Sequence, residues 1–221
     1  MKLGYFVTGT DTGVGKTLIA SAMLYQLGRL GLSTAGMKPI AAGYIDSPSG
    51  PINEDVESLR RASTLDLTPA QICPYLLPAA IAPHIAAAEV NVQIDLPTIR
   101  ARLYQLTQQA DAVVVEGVGG FQVPLGERYD SADLAAMLSL PVVLVVGLRL
   151  GCLNHALLTA DVVRARGLSL AGWVANRIDP DMARAEQNIE ALAHRLPCPL
   201  MGIVPFQRSP DASSIELKIH F

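Results

Sequence analysis

Apolar and polar positions follow two rhythms along the chain, and together they predict strands that alternate with helices. Short runs dominated by apolar residues are typical of buried strands, and they cover 3–8, 33–37, 111–116, 142–146, 170–175 and 200–204. Apolar residues recur at helical spacing over 16–30, 54–62, 98–109, 131–138, 154–166 and 182–196. This order predicts an α/β fold in which a largely parallel sheet carries helices on both faces.

Three segments interrupt this pattern. The segment 41–53 is rich in glycine, serine and proline and is predicted to be a mobile loop, whereas 69–97 contains five prolines and is predicted to be irregular with one short helix. The tail after about residue 208 alternates like a strand. A length of 221 residues allows one α/β domain or two small ones. We favour a single domain over 1–221, with the tail left unassigned.

Composition narrows the classes of function. Half of the residues are hydrophobic, 17% are charged and the net charge is −3, which indicates neither a disordered chain nor a surface that coats nucleic acid. The cysteines at 73, 152 and 198 show no metal-ligand spacing and fit reduced thiols in a cytoplasm. The N-terminus lacks a secretion pattern, and the most apolar run, 140–148, has about half of the ~20 residues that a membrane helix needs. We therefore expect a cytoplasmic protein with no nucleic-acid or membrane partner.

The segment between the first predicted strand and the first predicted helix carries the strongest chemical signal. It reads Thr-Gly-Thr-Asp-Thr-Gly-Val-Gly-Lys-Thr over 8–17, and small residues before a helix N-terminus let backbone N–H groups converge on a phosphate. Lys16 adds a cation, and Thr17 can hold Mg²⁺ through its hydroxyl. The usual spacing would place a glycine where Thr10 stands, and Gly9 lies one position earlier. The segment is therefore a variant P-loop that predicts a P-loop NTPase-like fold, with a plain surface turn as the alternative.

Three charged residues outside this loop are candidates for the chemistry. Glu116 ends an apolar strand and precedes a glycine cluster, a position typical of the acid that supports Mg²⁺ beside a P-loop. Asp55, in the first turn of a helix predicted to be capped by Asn53, is a second metal candidate. Lys38 follows a strand and can hold the negative charge that develops during phosphoryl transfer. Each has an ordinary alternative: an exposed strand end, a first-turn acid and a solvated lysine before a turn.

Two segments near later strand ends are candidates for binding. Asn176 ends a strand and offers the donor and acceptor that match the edge of adenine, although asparagine also suits a chain turn. The turn over 147–154 leads into a helix with Asn154 as candidate N-cap, so it is either an anion site or an ordinary capped helix. The four histidines show no ligand spacing, and we assign none of them a catalytic role.

Several of these motifs together resemble one family, the dethiobiotin synthetases of biotin biosynthesis. The extended glycine spacing of the P-loop is a feature of that family. The matching segments follow the family's order, and the first and last are specific to it. They are 6–12 with 14–17, 38–39, 115–120, 144–147 with 150–156, and 171–176.

The resemblance implies an ATP-dependent cyclo-ligase that closes a ureido ring. In that family, 7,8-diaminopelargonic acid takes up CO₂, supplied by bicarbonate, as a carbamate. ATP then phosphorylates the carbamate, and the neighbouring amine displaces phosphate to give dethiobiotin. Lys38 and Lys16 correspond to catalytic positions, and the Mg²⁺ ligands correspond to Thr17, Asp55 and Glu116. The positions that correspond to the ATP site are Thr12, Gly13, Val14, Gly15, Lys16, Thr17, Asp55, Glu116, Gly117, Val118, Gly119, Asn176, Arg177, Pro205, Phe206 and Gln207.

The resemblance also implies a homodimer with the substrate site at the interface. In the family, the substrate carboxylate is held by a helix N-terminus of the other protomer. Where members can carry a serine that contacts substrate, this chain has Ala41 and Ala42, so a contact at Ala42 is lost or made by backbone. Where some members carry a glutamate in the phosphate loop, this chain has Gly13. The positions that correspond to the carboxylate site are Gly151, Cys152, Leu153 and Asn154.

Two other functions remain as alternatives. A nucleotide-switch ATPase that partitions cargo or binds membranes shares variant P-loops on a parallel sheet. Such a protein would usually carry a basic DNA-binding patch or an amphipathic terminal helix. A nucleotide-binding protein without chemistry fits Lys16 but leaves Lys38 and Glu116 without a role.

Overall fold

The computed structural model of the chain describes residues 3–48 and 50–219. Residues 220 and 221 of the predicted tail and position 49 of the predicted loop lie outside the described residues. The strands are β1 (Leu3–Gly9), β2 (Thr34–Met37), β3 (Ile40–Ala42), β4 (Tyr75–Leu77), β5 (Ala112–Glu116), β6 (Val142–Leu148), β7 (Leu170–Arg177) and β8 (Leu200–Val204). The helices are α1 (Lys16–Arg29), α2 (Glu54–Ala62), α3 (Pro69–Ile72), α4 (Pro83–Glu89), α5 (Leu96–Gln109), α6 (Ser131–Leu138), α7 (Cys152–Ala165) and α8 (Ala185–Arg195).

Six strands form one sheet in the order β2-β5-β1-β6-β7-β8, and every pair in it is parallel. Successive residues of β6 point to opposite faces, with Val143 and Val145 in one hydrophobic cluster and Leu144 and Val146 in another. All seven residues of β6 are buried, because helices cover both faces of the sheet. The predicted α/β fold with a largely parallel sheet is confirmed.

The register of the sheet brings the candidate residues to one edge. Met37 of β2 lies opposite Val115 of β5, so the two residues that follow them emerge side by side. Glu116 itself lies opposite Val7 of β1, and Gly9 lies opposite Val145 of β6. The loops that leave the carboxyl ends of β1, β2, β5 and β6 therefore meet above the sheet, the usual position of ligands in this architecture.

A second, two-stranded sheet corrects two of the predictions. Ile40–Ala42 pairs in parallel with Tyr75–Leu77, so the loop predicted to start at 41 starts after β3. The segment predicted to be irregular with one short helix contains β4 and two short helices, α3 and α4. Strands and helices of three to seven residues are too short to produce a readable period in the sequence.

Three helix starts also differ from the predicted ones. Helix α7 begins at Cys152 with Gly151 as its N-cap, so the prediction that Asn154 caps it is wrong. Gly151 has a φ of 96°, which glycine adopts without strain, and this turn starts the helix before Asn154 is reached. Helix α5 starts at 96 rather than 98 because Asp95 caps it, and α8 starts at 185 rather than 182. The predicted cap of α2 is confirmed, since the Asn53 side chain accepts two backbone N–H groups.

The C-terminal tail packs along the edge of the main sheet. A 3₁₀ turn at Ala212–Ser214 precedes Ile215 and Leu217, whose side chains are buried. The side chain of Gln26 in α1 makes two hydrogen bonds to the backbone of Leu217. Its Nε2 donates to the Leu217 carbonyl at 2.6 Å, and its Oε1 accepts the Leu217 N–H at 2.9 Å. The alternation read from the sequence therefore marks a buried extended segment, although this segment is not assigned as a regular strand.

We expect Leu217→Ala to destabilise the protein by about 2–3 kcal/mol, because it removes a buried leucine from a site that can close only in part. Urea unfolding followed by circular dichroism measures this loss. Leu30→Ala is the matched control, because Leu30 is 60% exposed, and its effect should stay within about 0.5 kcal/mol. Equal effects of the two substitutions would contradict a structural role for the tail.

Candidate active site

The P-loop follows β1 and is fixed at both ends. Thr10 N–H donates to the Val145 carbonyl at 3.1 Å, which joins the start of the loop to β6. The side chain of Val14 is fully buried against Gly147, where an added Cβ would come within 2.8 Å of it. Gly15 caps α1 with a φ of 92°. The loop is therefore held as a rigid turn at the N-terminus of α1, with its backbone free to approach an anion.

Lys16 lies within the loop rather than in solvent. It is 7% exposed, and its Nζ donates to the carbonyl of Asp11 at 2.9 Å. Burial, reinforced by the positive charge of Lys38, lowers the pKa of Lys16 to about 8, against an ordinary value of 10.5. Part of the Lys16 population is therefore neutral slightly above neutral pH.

Lys38 lies between two carboxylates at the carboxyl edge of the sheet. Its Nζ is 2.9 Å from Asp55 Oδ2 and 2.5 Å from Glu116 Oε1, and it also donates to the Gly117 carbonyl at 3.1 Å. Thr17 Oγ1 lies 2.6 Å from Asp55 Oδ1 and 2.9 Å from Glu116 Oε1. Four predicted residues, from α1, the end of β2, α2 and β5, are thus in direct contact.

Burial strengthens the electrostatic interactions between the charged groups of this cluster. Lys38 and Glu116 are 3% and 1% exposed. Burial alone would lower the pKa of Lys38, but the carboxylates of Glu116 and Asp55 outweigh burial and raise it. Burial raises the pKa of Asp55, whereas Lys38 and Thr17 lower it, and the net pKa is below its usual range. For Glu116, burial prevails over Lys38 and raises the pKa.

The cluster has the chemistry of a site for a hard cation. Glu116 Oε2 is buried and has no hydrogen-bond partner among the described residues. Two carboxylates and a hydroxyl suit Mg²⁺, which keeps several waters and takes few protein ligands. Within 3–48 and 50–219, no group of three or more histidine, cysteine, aspartate or glutamate residues is placed to hold a metal ion.

A cavity of about 700 Å³ opens in front of the cluster and the P-loop. Most of its lining residues are predicted site residues, namely Thr12, Gly13, Gly15, Lys16, Thr17, Lys38, Ala42, Asp55, Glu116, Val118 and Gly119. The predicted residues Val14 and Gly117 pack inward and do not line the cavity. Sequence reasoning did not anticipate the segment 80–83, which the pairing of β4 with β3 carries to the rim. An alanine- and proline-rich segment has no chemical signal in the sequence, so only the fold reveals it. Asp11 of the predicted P-loop segment and Gly120 of the glycine cluster after Glu116 also line the cavity, as does Val123, for which the sequence offered no signal.

A second, smaller cavity of about 230 Å³ lies on the other side of the P-loop glycines. The predicted adenine-binding residues meet here, and the Asn176 Nδ2 donates to the Val14 carbonyl at 2.8 Å. Arg177 is paired with Glu186, which holds its guanidinium at the rim. The cavity is lined by Gly13, Gly15, Leu18, Asn176, Arg177, Ile178, Pro205, Phe206, Gln207 and Pro210.

The residues predicted to hold a carboxylate do not line the cavity that contains Lys38. Gly151–Asn154 form the first turn of α7, beyond the carboxyl end of β6. Cys152 is 2% exposed, so its side chain is not available to a ligand. The neighbouring Leu150 is 96% exposed. Within one chain, this turn and Lys38 therefore belong to separate surfaces.

The described part of the chain contains no helix that is both long and apolar enough to cross a membrane. The expected cytoplasmic location stays a prediction.

Comparison with known proteins identifies close relatives. A family profile described as "AAA domain" matches residues 3–214. The ATP-dependent dethiobiotin synthetase BioD of Aromatoleum aromaticum is 54% identical over 97% of this chain and 96% of its own length. The proteins of the same name from Ralstonia nicotianae and Nitrosospira multiformis are 53% and 52% identical, over 94% and 98% of this chain and 90% and 94% of their own lengths.

Among solved structures, similarity extends to other nucleotide-binding proteins. The septum site-determining protein MinD from Pyrococcus horikoshii, complexed with Mg-ADP, is 17% identical, with a TM-score of 0.56 over 93% of this chain and 82% of that one. The signal recognition particle 54 kDa protein from Aeropyrum pernix, in complex with GDP, is 16% identical, with a TM-score of 0.59 over 98% of this chain and 43% of that one. At such identities the likeness shows the P-loop NTPase-like fold alone.

We expect MgATP binding to be accompanied by proton uptake at pH 8, because bound phosphates favour the charged form of Lys16, whose pKa in the free protein is about 8. Uptake should be about half a proton per site at this pH, and affinity should fall roughly tenfold per pH unit above it. Calorimetric titration in two buffers of different ionisation enthalpy measures the uptake.

Lys218→Met is the control for this experiment, since Lys218 is exposed, and it should leave the uptake unchanged. Binding without proton exchange at pH 8 would mean that Lys16 is already fully charged in the free protein.

Proposed function

The chain belongs to the family of ATP-dependent dethiobiotin synthetases and closes a ureido ring at the expense of ATP in biotin biosynthesis, and on this premise we propose how its residues divide the chemistry. The observation that carries the proposal is the buried Lys38 ammonium, in contact with Asp55 and Glu116 at the rim of the same cavity as the P-loop. A fixed cation at this position stabilises an anionic acceptor beside a transferring phosphoryl group.

The reaction has three bond-forming steps in this proposal. One amine of 7,8-diaminopelargonic acid adds to CO₂ and loses a proton, which gives a carbamate. A carbamate oxygen then attacks the γ-phosphorus of ATP, and the bond to ADP breaks. The second amine attacks the carbonyl carbon of this mixed anhydride, the bond to phosphate breaks, and a proton leaves as the ring closes. Phosphorylation is needed because an unmodified carbamate oxygen is a poor leaving group.

Two lysines have separate electrostatic roles in this sequence. Lys16, held at the Asp11 carbonyl in the free protein, binds the phosphate oxygens of ATP once these replace that carbonyl. Lys38 faces the acceptor and balances the negative charge of the carbamate and of the γ-phosphoryl group. The backbone N–H groups of 12–17 orient the phosphates, so that the transferring group is directed at the acceptor.

Thr17, Asp55 and Glu116 would hold Mg²⁺ beside the phosphates. The unpaired Glu116 Oε2 supports this assignment, since a buried carboxylate oxygen without a partner is costly. When bound, Mg²⁺ supplies charge neutralisation for the terminal phosphates. The adenine would occupy the cavity beside the P-loop glycines, in contact with Asn176, Arg177 and 205–207.

The far carboxylate of the substrate requires an anion site outside the cavity of one chain. The cations that line that cavity, Lys16 and Lys38, are both committed to the phosphates and the carbamate. The N–H of Cys152 donates to the Arg149 carbonyl, which leaves the backbone N–H groups of Leu153 and Asn154 for an anion at the N-terminus of the 14-residue helix α7. Leu150 beside this turn is almost fully exposed. We propose a homodimer in which each substrate molecule contacts both protomers. Gly151–Asn154 of one protomer bind its carboxylate, and its amines lie at Lys38 of the other protomer.

The direct test is mass-spectrometric detection of dethiobiotin from diamine, bicarbonate and MgATP. We expect ATP hydrolysis to require the diamine and bicarbonate together. Lys38→Met should lower turnover by at least about 100-fold, because it removes the acceptor-side charge. MgATP binding should be retained, because Lys16 and the backbone N–H groups of 12–17 still hold the phosphates.

Lys218→Met controls for the loss of a lysine elsewhere and should leave turnover unchanged. Retained MgATP binding shows that the Lys38→Met chain is folded. Unchanged turnover would remove Lys38 from the mechanism, and ATP turnover that needs DNA or lipid instead of diamine would favour the switch ATPase.

Complementation between two impaired chains tests the shared site. Asn154→Asp adds a negative charge to the first turn of α7 without a change of shape, and we expect it to raise the KM for the diamine roughly tenfold. In a mixed dimer, the Asn154→Asp chain supplies an intact Lys38 and the Lys38→Met chain supplies an intact Asn154. One of the two sites is therefore intact if the two residues act across the interface. Dissociation and reassociation should therefore restore about a quarter of the wild-type sites at low diamine.

Asn91→Asp, at an exposed position, is the matched control and should leave the KM unchanged. A mixture that only averages the activities of its two parents would place both residues in the same chain's site and would contradict the shared arrangement.

A further inference from the structure

An acidic side chain occupies the loop that is proposed to bind phosphates. Asp11 Oδ1 accepts the N–H of Thr12 at 2.7 Å, its carbonyl accepts Lys16 Nζ at 2.9 Å, and its Oδ2 is paired with the guanidinium of Arg149. The hydrogen bond from Thr12 and the charge of Arg149 lower the pKa of Asp11, although burial opposes them. The carboxylate is therefore ionised at neutral pH. The mechanism above uses neither the Asp11 carboxylate nor Arg149.

The Asp11–Arg149 pair joins two loops that leave neighbouring strands. Asp11 lies two residues beyond β1, and Arg149 lies one residue beyond β6. The Arg149 carbonyl accepts the N–H of Cys152 at 3.0 Å, so Arg149 belongs to the turn that opens α7. The pair thus connects the phosphate loop to the turn proposed to hold the substrate carboxylate.

The charge of Asp11 conflicts with the proposed ligand of its own loop. Asp11 lines the same cavity as 12–13 and 15–17, and a carboxylate there repels a triphosphate by Coulomb's law. Arg149 cancels that charge by direct contact. Without Arg149, the repulsion would act on the phosphates at full strength, and the Asp11 side chain would be free to turn into the cavity.

We propose that Arg149 is a positioning residue of the nucleotide site, which neutralises the Asp11 carboxylate and keeps it from turning towards the phosphates. The inference rests on the proposed function, because it takes 12–17 as the phosphate-binding segment. The side chains of Arg149 and Asp11 are 41% and 45% exposed, and ion pairs this exposed contribute little to folding stability. Nucleotide affinity and stability therefore respond differently to its removal.

The experiment is a double-mutant cycle on MgATP affinity, read with a fluorescent ATP analogue, alongside thermal unfolding. Arg149→Met should weaken affinity about tenfold, as one uncompensated charge beside the ligand would. Arg149→Lys keeps the charge and should stay within about threefold of wild type, as should Asp11→Asn combined with Arg149→Met. All unfolding temperatures should lie within about 3 °C of wild type.

Arg166→Met is the matched control, because Arg166 forms partly buried ion pairs with Asp130 and Asp133 near the other end of α7. The MgATP affinity of this variant should equal that of wild type. Wild-type affinity in Arg149→Met would overturn the inference alone. A double variant as weak as Arg149→Met would also overturn it, since Arg149 would then act on the nucleotide directly. A wild-type chain that binds no MgATP would overturn the proposed function and this inference together.

Discussion

The contact of one buried ammonium with two carboxylates is the constraint on which the site depends. Lys38 is 3% exposed and Glu116 is 1% exposed, and the side chain of Asp55 completes the cluster. Each ion removed from water costs several kcal/mol, and only a well-placed partner offsets that cost. The cluster therefore requires the end of β2, the start of α2 and the end of β5 to be positioned together. Glu116 Oε2 stays unpaired among the described residues.

The parallel sheet meets this requirement through its register. Met37 lies opposite Val115, so Lys38 and Glu116 are the next residues of two adjacent strands and come into contact where those strands end. Asp55 reaches them from α2, whose start is fixed when the Asn53 side chain accepts the N–H groups of Asp55 and Val56 at 3.1 and 3.2 Å. The backbone of Lys38 is held in turn, since its N–H donates to the Ile72 carbonyl at 3.0 Å. The position of the charges thus follows from strand pairing and one helix cap.

The structure could be predicted from the sequence where local chemistry determines it. Strands buried on both faces produce continuous apolar runs, so the six strands of the main sheet could be recognised, and Lys38 and Glu116 stood at two of their ends. Prediction failed where very short elements, or contacts between distant parts of the chain, determine the structure. The strands β3 and β4 have three residues each, and the start of α7 depends on the positive φ of Gly151, which overrides the capping preference of Asn154. The contact of Asp11 with Arg149 spans 138 residues, and only the adjacency of β1 and β6 creates it.

The fold and the site carry different information about function. The likeness to MinD and to the signal recognition particle protein extends over more than nine tenths of the chain at 17% and 16% identity, so it follows the sheet and the P-loop, which unrelated activities can share. A P-loop by itself explains a bound triphosphate and a cation. The transfer of the γ-phosphoryl group to a particular acceptor also requires a group that balances the acceptor's charge. In the proposed mechanism that group is Lys38, which the carboxylates of Asp55 and Glu116 contact.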